Sequence, residues 1–237
     1  MRAVALVTGS AKGIGRALLL ALAGAGHDVV VHYRRSERSA QGVAEEARAL
    51  GVEAEVVQAD VTVQQQAEWL VDVATERLGR LDVVINNVGN YHKAPLAELS
   101  AEAWHEMLDS NLNATFYVCQ RAVPQLRNSP RGRIVNVGYA GSDSLVAKPG
   151  ITAYQLAKTG VLLYSRALAR SEARYGTTVN VLAPGVIENS VTQPLKEIPM
   201  GRPGTLADMT AAALYLVSDE ARYVTGAFLP VAGGWNL

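Results

Sequence analysis

Short runs of β-branched residues alternate with longer helix-patterned stretches along the whole chain, and this alternation constrains the fold more than any other feature. Runs at Val4–Thr8, Val29–Tyr33, Ala54–Gln58, Asp82–Asn86, Arg133–Val137, Thr178–Leu182 and Phe228–Val231 read as strands. Helical patterns fill the gaps, so successive strands are joined by crossovers and must lie parallel, covered on both faces. The expected fold class is α/β, a doubly wound seven-stranded parallel sheet. Helix starts are signalled at Thr62, with Gln65 three residues on, and at Thr205, with Asp208 three on, both capping-box patterns. With 237 residues, 49% of them hydrophobic, the chain suffices for one sizeable core, and a single domain over 1–237 is expected. The least regular segment, Val186 to Gly204, is rich in Pro and Gly and reads as a mobile loop.

Charge and cysteine usage narrow the function classes. Lys+Arg and Asp+Glu both number 22, so there is no broad basic field to hold nucleic acid or an anionic membrane. The only cysteine, Cys119, lies in a helix-patterned stretch, forms no intrachain disulfide and is a poor choice of catalytic thiol. No apolar run approaches the ~18 residues of a membrane span, and the first strand begins at once without a signal-peptide pattern. A soluble, cytoplasmic protein acting on a small molecule is expected, with no metal.

Directly after the first strand comes Gly9-Ser10-Ala11-Lys12-Gly13-Ile14-Gly15, which opens a helix reaching about Ala25. Glycines at these positions allow a tight turn and close backbone approach to a pyrophosphate, whose charge is favoured by the helix N-terminus. Such turns bind dinucleotides. The second strand ends in Arg34-Arg35-Ser36 with no carboxylate, and Lys12 lies nearby. An acid there would suit the ribose hydroxyls of NAD, whereas cations suit the 2′-phosphate of NADP, so NADP(H) is favoured over NAD(H).

Tyr154 and Lys158 are four residues apart in a helical stretch and so share a face. A phenol loses its proton near pH ~10 when unperturbed, and a neighbouring ammonium favours the phenolate. The pair therefore reads as a general acid/base.

With these residues together the chain resembles the short-chain dehydrogenase/reductase family over essentially its whole length. The glycine turn from Thr8 to Gly15 fits the family pattern, and Asp60-Val61 fits the pair that contacts adenine. Asn87-Val88-Gly89, after Asn86, fits the turn following the fourth strand, with valine replacing alanine. Asn111 fits the catalytic asparagine, Tyr154 and Lys158 the catalytic pair, and Pro184-Gly185 the turn beside the nicotinamide, followed by Val186 and Ile187. The resemblance implies a Rossmann-type fold and hydride transfer between the nicotinamide and a carbonyl or carbinol carbon. It assigns proton transfer to Tyr154, lowering of the phenol pKa and ribose binding to Lys158, and the holding of a water to Asn111.

The chain departs from the family at one position. A serine normally follows the fifth strand, and here Tyr139 stands in its place by strand position, whereas counting back from Tyr154 lands on Gly141. Tyr139, Ser142 or Ser144 could substitute, or Asn111 and Tyr154 could suffice. Pteridine reductases also lack the serine and share a His-Tyr-x-Arg-Ser pattern with His32 to Ser36, while Lys12 to Gly15 and Asn86 to Gly89 look more like 3-oxoacyl-carrier-protein reductases. The leading expectation is an oxidoreductase of the latter branch; the alternatives are a pteridine reductase and a non-catalytic NADP(H)-binding sensor. In the 186–204 loop, Glu188, Asn189 and Gln193 suit a polar substrate, and Val186, Ile187, Leu195, Ile198 and Met200 an apolar one. Tyr91, His92 and Lys93 could line the entrance. Surplus apolar residues on the helices over 111–127 and 151–175, Phe116 and Leu163 among them, imply a homotetramer of the kind common in the family.

Overall fold

The computed structural model describes residues 2–190 and 193–236, so Val191 and Thr192 of the expected mobile loop lie outside the described residues. Strands β1 (Val4–Val7), β2 (Asp28–Tyr33), β3 (Ala54–Gln58), β4 (Val83–Asn86), β5 (Arg133–Val137), β6 (Thr178–Pro184) and β7 (Phe228–Val231) form one sheet in the order β3-β2-β1-β4-β5-β6-β7. Every neighbouring pair is parallel. Seven strands are thus observed among the described residues where seven are expected. The strand ends move by one or two residues, the largest change being β6, which runs on through Pro184 because Pro184 pairs with Val231.

The helices are α1 (Gly13–Gly24), α2 (Glu37–Ala49), α3 (Gln64–Leu78), α4 (Ala101–Leu108), α5 (Ala114–Arg127), α6 (Thr152–Glu172) and α7 (Leu206–Val217). Alternate residues of one strand feed opposite cores. In β1, Ala5 and Val7 pack with Leu19 of α1, Val43 of α2 and Leu216 of α7, whereas Val4 and Leu6 pack with Leu70 of α3 and Val118 of α5. This explains the near-continuous apolar runs, since neither strand face meets water.

Sequence signals at helix ends fare unequally. Thr205 caps α7 with a complete capping box through Asp208. Thr62 does not cap α3, whose N-cap is Val63. The Thr62 hydroxyl donates instead to Asp60 Oδ1 at 2.7 Å. The helix expected from Asn111 begins earlier, at Ala101 of α4, and passes through a π-helical turn over Asp109–Asn113 before α5.

The chain winds from β1 outward to β3, then returns to β4 on the other side of β1. Loops leaving β1 and β4 therefore part at their carboxyl ends, opening a crevice there.

Candidate active site

The floor of that crevice is the glycine turn. Asn87 fastens it to the end of β4, donating from its backbone N–H to Thr8 Oγ1 at 2.9 Å and from Nδ2 to the Thr8 carbonyl at 3.0 Å. Gly9 and Gly13 have φ of +65° and +56°, and a side chain at Gly15 would strike the Gly9 carbonyl and the Asn87 amide. Lys12 is the N-cap of α1 without a side-chain cap, and the first turn holds no acid, so the leading N–H groups are open to an anion. Ser10 serves the turn differently from expectation. It is fully buried, and its hydroxyl accepts the His32 N–H at 3.0 Å, so it braces the turn against β2 rather than facing the crevice.

His32 completes this brace. Its Nδ1 accepts the Gly9 N–H at 2.8 Å and its Nε2 lies 3.0 Å from the Ala59 carbonyl, which together require the neutral ring with the proton on Nε2. Burial pulls its pKa down to about 4, so the ring stays neutral and keeps this arrangement.

At the ribose end, Arg34 and Arg35 are exposed at the carboxyl end of β2, followed by Ser36, an N-cap of α2 whose side chain makes no cap bond. Arg34 lies 3.4 Å from Asp60 Oδ2. Burial alone would raise the Asp60 pKa, but hydrogen bonds from Thr62 and the Arg34 guanidinium outweigh it and hold the carboxyl below its ordinary range. Val61 is buried against the α3 core.

The reacting end is built by α6. Tyr154, Lys158, Gly89, Asn111 and Pro184 line one cleft of about 270 Å³ together with Lys12, Asn87 and Asn189. Lys158 is buried, and its ammonium donates to the Val137 carbonyl at 2.7 Å and lies 5.9 Å from the centre of the Tyr154 ring. Asn111, in the π-helical turn, donates from Nδ2 to the carbonyls of Asn90 and Met107, both at 3.0 Å. Its Oδ1 is buried with no partner among the described residues. Gly89 faces both groups: a side chain there would overlap Asn111 Oδ1 and come within 3.2 Å of Lys158 Nζ. The cleft thus juxtaposes an ammonium and an unsatisfied acceptor beside the phenol.

The electrostatics correct one expectation. Burial lowers the Lys158 pKa to about 8, and burial, with the neighbouring Tyr139 and Tyr91 phenols, raises that of Tyr154 well above the ordinary phenol range. Desolvation therefore outweighs the expected downward pull of Lys158 on Tyr154 in this arrangement, and the phenol holds its proton.

Of the three candidates for the serine's place, Ser144 is exposed and donates to the Gly141 carbonyl at 3.2 Å, and Ser142 Oγ is buried without a partner among the described residues. Tyr139 packs edge-to-face on Tyr154, with ring centres 5.6 Å apart. Tyr91 also packs edge-to-face on Tyr154, at 5.1 Å, whereas His92 and Lys93 are exposed. Two residues that sequence reasoning did not single out converge on the Tyr139 hydroxyl. They are Lys148, 3.0 Å away, and Asn236, 3.2 Å away, and no local spacing links either to Tyr139.

Beyond Pro184, Gly185 packs so closely on Ala232 that a side chain would not fit, and Val186 and Ile187 are buried. The neck of the loop is tied, Gly204 donating to the Val186 carbonyl and Glu188 N–H to the Gly204 carbonyl. Glu188 caps α7 by accepting the Leu206 N–H at 2.9 Å, so its carboxylate is spent on structure; Asn189 faces the glycine turn. Cys119 is fully buried and its thiol is pushed up to about 12, consistent with an unreactive group.

Known proteins resemble this chain in sequence and in fold. A family model described as enoyl-(acyl carrier protein) reductase matches residues 9–236. The 3-oxoacyl-(acyl-carrier-protein) reductase FabG of Staphylococcus aureus is 35% identical over 239 residues, spanning 97% of this chain and 96% of that protein. Among solved structures, a blue fluorescent protein from a metagenomic library in complex with NADPH superposes with a TM-score of 0.94 at 31% identity, covering 99% of this chain and 98% of the other. A short chain dehydrogenase from Burkholderia cenocepacia in complex with NADP gives 0.92 at 30% identity, covering 98% and 97%.

Proposed function

The chain belongs to the short-chain dehydrogenase/reductase family, and from that premise we propose that it reduces the keto group of a 3-oxoacyl thioester with NADPH. The observation that carries this reading is the meeting of the Tyr154 phenol, the buried Lys158 ammonium and Asn111 Oδ1, unpartnered among the described residues, at the crevice above the glycine turn. NADPH, when bound, supplies the hydride. The residues fit it: open N–H groups at the start of α1 suit the pyrophosphate, and Arg34, Arg35 and Ser36 suit a 2′-phosphate where NAD would call for an acid. Asp60, Val61, Val88, Gly185, Val186 and Ile187 would flank the adenine and nicotinamide rings.

Tyr154 stands as the proton donor. A carbonyl oxygen gains negative charge as hydride arrives, and a phenol held neutral beside it can release its proton at that moment. Lys158 orients the ribose and offers positive charge to the phenolate that remains. Asn111 Oδ1, without a partner among the described residues, suits a water that passes a proton inward from solvent by way of Lys158. The same reading takes the chain to be a homotetramer, for which the exposed Phe116 on α5 and Leu163 on α6, 38% and 71% accessible, would supply an apolar contact face. Light scattering should give four times the chain mass; a single-chain mass would reject the tetramer.

The deciding experiment incubates the purified chain with NADPH and a 3-oxoacyl thioester, a 2-enoyl thioester, a diketone, a dihydropterin and a sugar. Oxidation of NADPH with the keto thioester, and loss of at least about a thousandfold in Tyr154→Phe with NADPH affinity kept, is expected. Preference for the enoyl thioester or the dihydropterin would replace the substrate; an active Tyr154→Phe would reject the proton donor.

A further inference from the structure

Tyr139 occupies the position after β5 where the family resemblance expects a serine, and the structure surrounds its hydroxyl in an unusual way. The oxygen accepts hydrogen bonds from Lys148 Nζ at 3.0 Å and from Asn236 Nδ2 at 3.2 Å. Asn236 Oδ1 accepts a second N–H of the same ammonium at 2.7 Å, which fixes which end of the amide faces Tyr139. Three groups thus close a small ring. A phenol has one proton to give and room to accept about two hydrogen bonds. With both acceptor positions filled, the proton must point away from Lys148 and Asn236, and it meets no acceptor among the described residues.

Packing holds the ring of Tyr139 as firmly as the hydroxyl. It lies edge-to-face between Tyr154, at 5.6 Å, and Trp235, at 5.9 Å. Lys148 Nζ also sits 5.1 Å from the centre of the Trp235 ring, a cation–π arrangement. Trp235 is anchored in turn, its Nε1 donating to Glu197 Oε2 at 3.3 Å. Tyr139 is 7% exposed and has few ways to turn.

We propose that Tyr139 is a second hydrogen-bond donor to the substrate carbonyl oxygen, and that Lys148 and Asn236 are positioning residues that aim its hydroxyl. The substrate oxygen then lies between two phenols, Tyr154 transferring its proton and Tyr139 donating a hydrogen bond without transfer. The ammonium of Lys148 polarises the Tyr139 O–H from behind, strengthening that donation as charge develops on the oxygen. This assignment rests on the carbonyl-reductase reading above.

The test uses the full chain, NADPH and the best carbonyl substrate of the wild type. Tyr139→Phe should lose about a hundredfold in kcat, the scale of one oxyanion donor, with the NADPH dissociation constant unchanged by fluorescence titration. Lys148→Met and Asn236→Leu should each lose about tenfold in kcat, and Lys148→Arg should recover most of it. The double variant Tyr139→Phe/Lys148→Met should be no slower than Tyr139→Phe alone, because Lys148 acts through that hydroxyl. A structural role would instead make the losses multiply. The proposal is overturned if Tyr139→Phe stays within about twofold of wild type, if the double variant shows multiplied losses, or if Ser142→Ala reproduces the defect while Tyr139→Phe does not. Tyr154→Phe assayed alongside separates the two readings: activity retained there rejects the proton donor, while activity retained only in Tyr139→Phe rejects the clamp. No carbonyl reduction by the wild type rejects both.

Discussion

Lys158 is a cation in a place that disfavours cations. It is 4% exposed, and its one hydrogen bond among the described residues goes to a carbonyl rather than a carboxylate, so burial brings its pKa from 10.5 to about 8. Below about pH 8 both folded and unfolded chains carry the charge and the folded state bears the full desolvation cost; between about 8 and 10.5 the folded state releases the proton first. The unfolded chain binds more protons in that window, so stability rises with pH there, by about 3 kcal/mol in total. Lys158→Met should therefore be inactive yet more stable than wild type by about 2 kcal/mol at neutral pH, allowing for the lost hydrogen bond. Denaturant unfolding across the alkaline range should show that advantage shrinking; a pH-independent difference would mean that burial of the charge is not its source. Among single residues, Tyr154 and Lys158 were legible because a helix makes four-residue neighbours meet. Lys148 and Asn236 were not, because they reach Tyr139 across 9 and 97 positions through loops whose paths no local pattern encodes. Ser10 was misread for a related reason: its place in the motif is visible, but the neighbouring strand that claims its hydroxyl is not.

At the level of elements, the carboxyl end of β2 shows how a cofactor preference is built from a strand end. Arg34 and Arg35 are exposed, and the Arg34 to Asp60 pair, with side chains 45% and 29% accessible, is worth little in water and yields readily to a phosphate. Arg34→Ala and Arg35→Ala should each raise the KM for NADPH about tenfold while leaving that for NADH nearly unchanged, since only one of the two cofactors carries the 2′-phosphate. Equal effects on both cofactors in steady-state assays would remove these residues from recognition. The seven strands were readable to within a residue or two because strands covered on both faces are rich in apolar residues, without a break in β1. Helix starts were less so. The threonine signals at 62 and 205 are alike, yet only Thr205 caps: its carboxylate partner Asp208 lies inside the first turn of α7, whereas the Thr62 hydroxyl donates backward to Asp60 and α3 starts only after Val63. The π-helical turn that carries Asn111 leaves no trace in the hydrophobic pattern, since it inserts itself between two ordinary helices.

Across the whole molecule, His32 ties three segments together: the glycine turn through Gly9, β2 through its own backbone, and the end of β3 through Ala59. Its pKa is about 4 folded and 6.5 unfolded, so the unfolded chain takes up the proton first as pH falls. Stability is complete above about 6.5 and is lost as pH falls toward about 4, by up to about 3 kcal/mol. His32→Gln, lacking that titration, should show a flatter acid limb in unfolding curves; an unchanged limb would place the acid sensitivity elsewhere. The doubly wound topology was the most legible property of all, because alternation of strands and helices leaves few other ways to wind a chain. The neck of the 186–204 segment has a further consequence. Ile187 and Gly204 bridge and their neighbours exchange backbone hydrogen bonds, so the two ends of the segment are held to each other whatever lies between. Closure entropy grows only with the logarithm of length, about 0.6 kcal/mol per doubling. The neck thus fixes where the segment leaves and rejoins the sheet, so a change of length within it should cost little provided that Glu188 and Glu197, which tie it to α7 and Trp235, are kept.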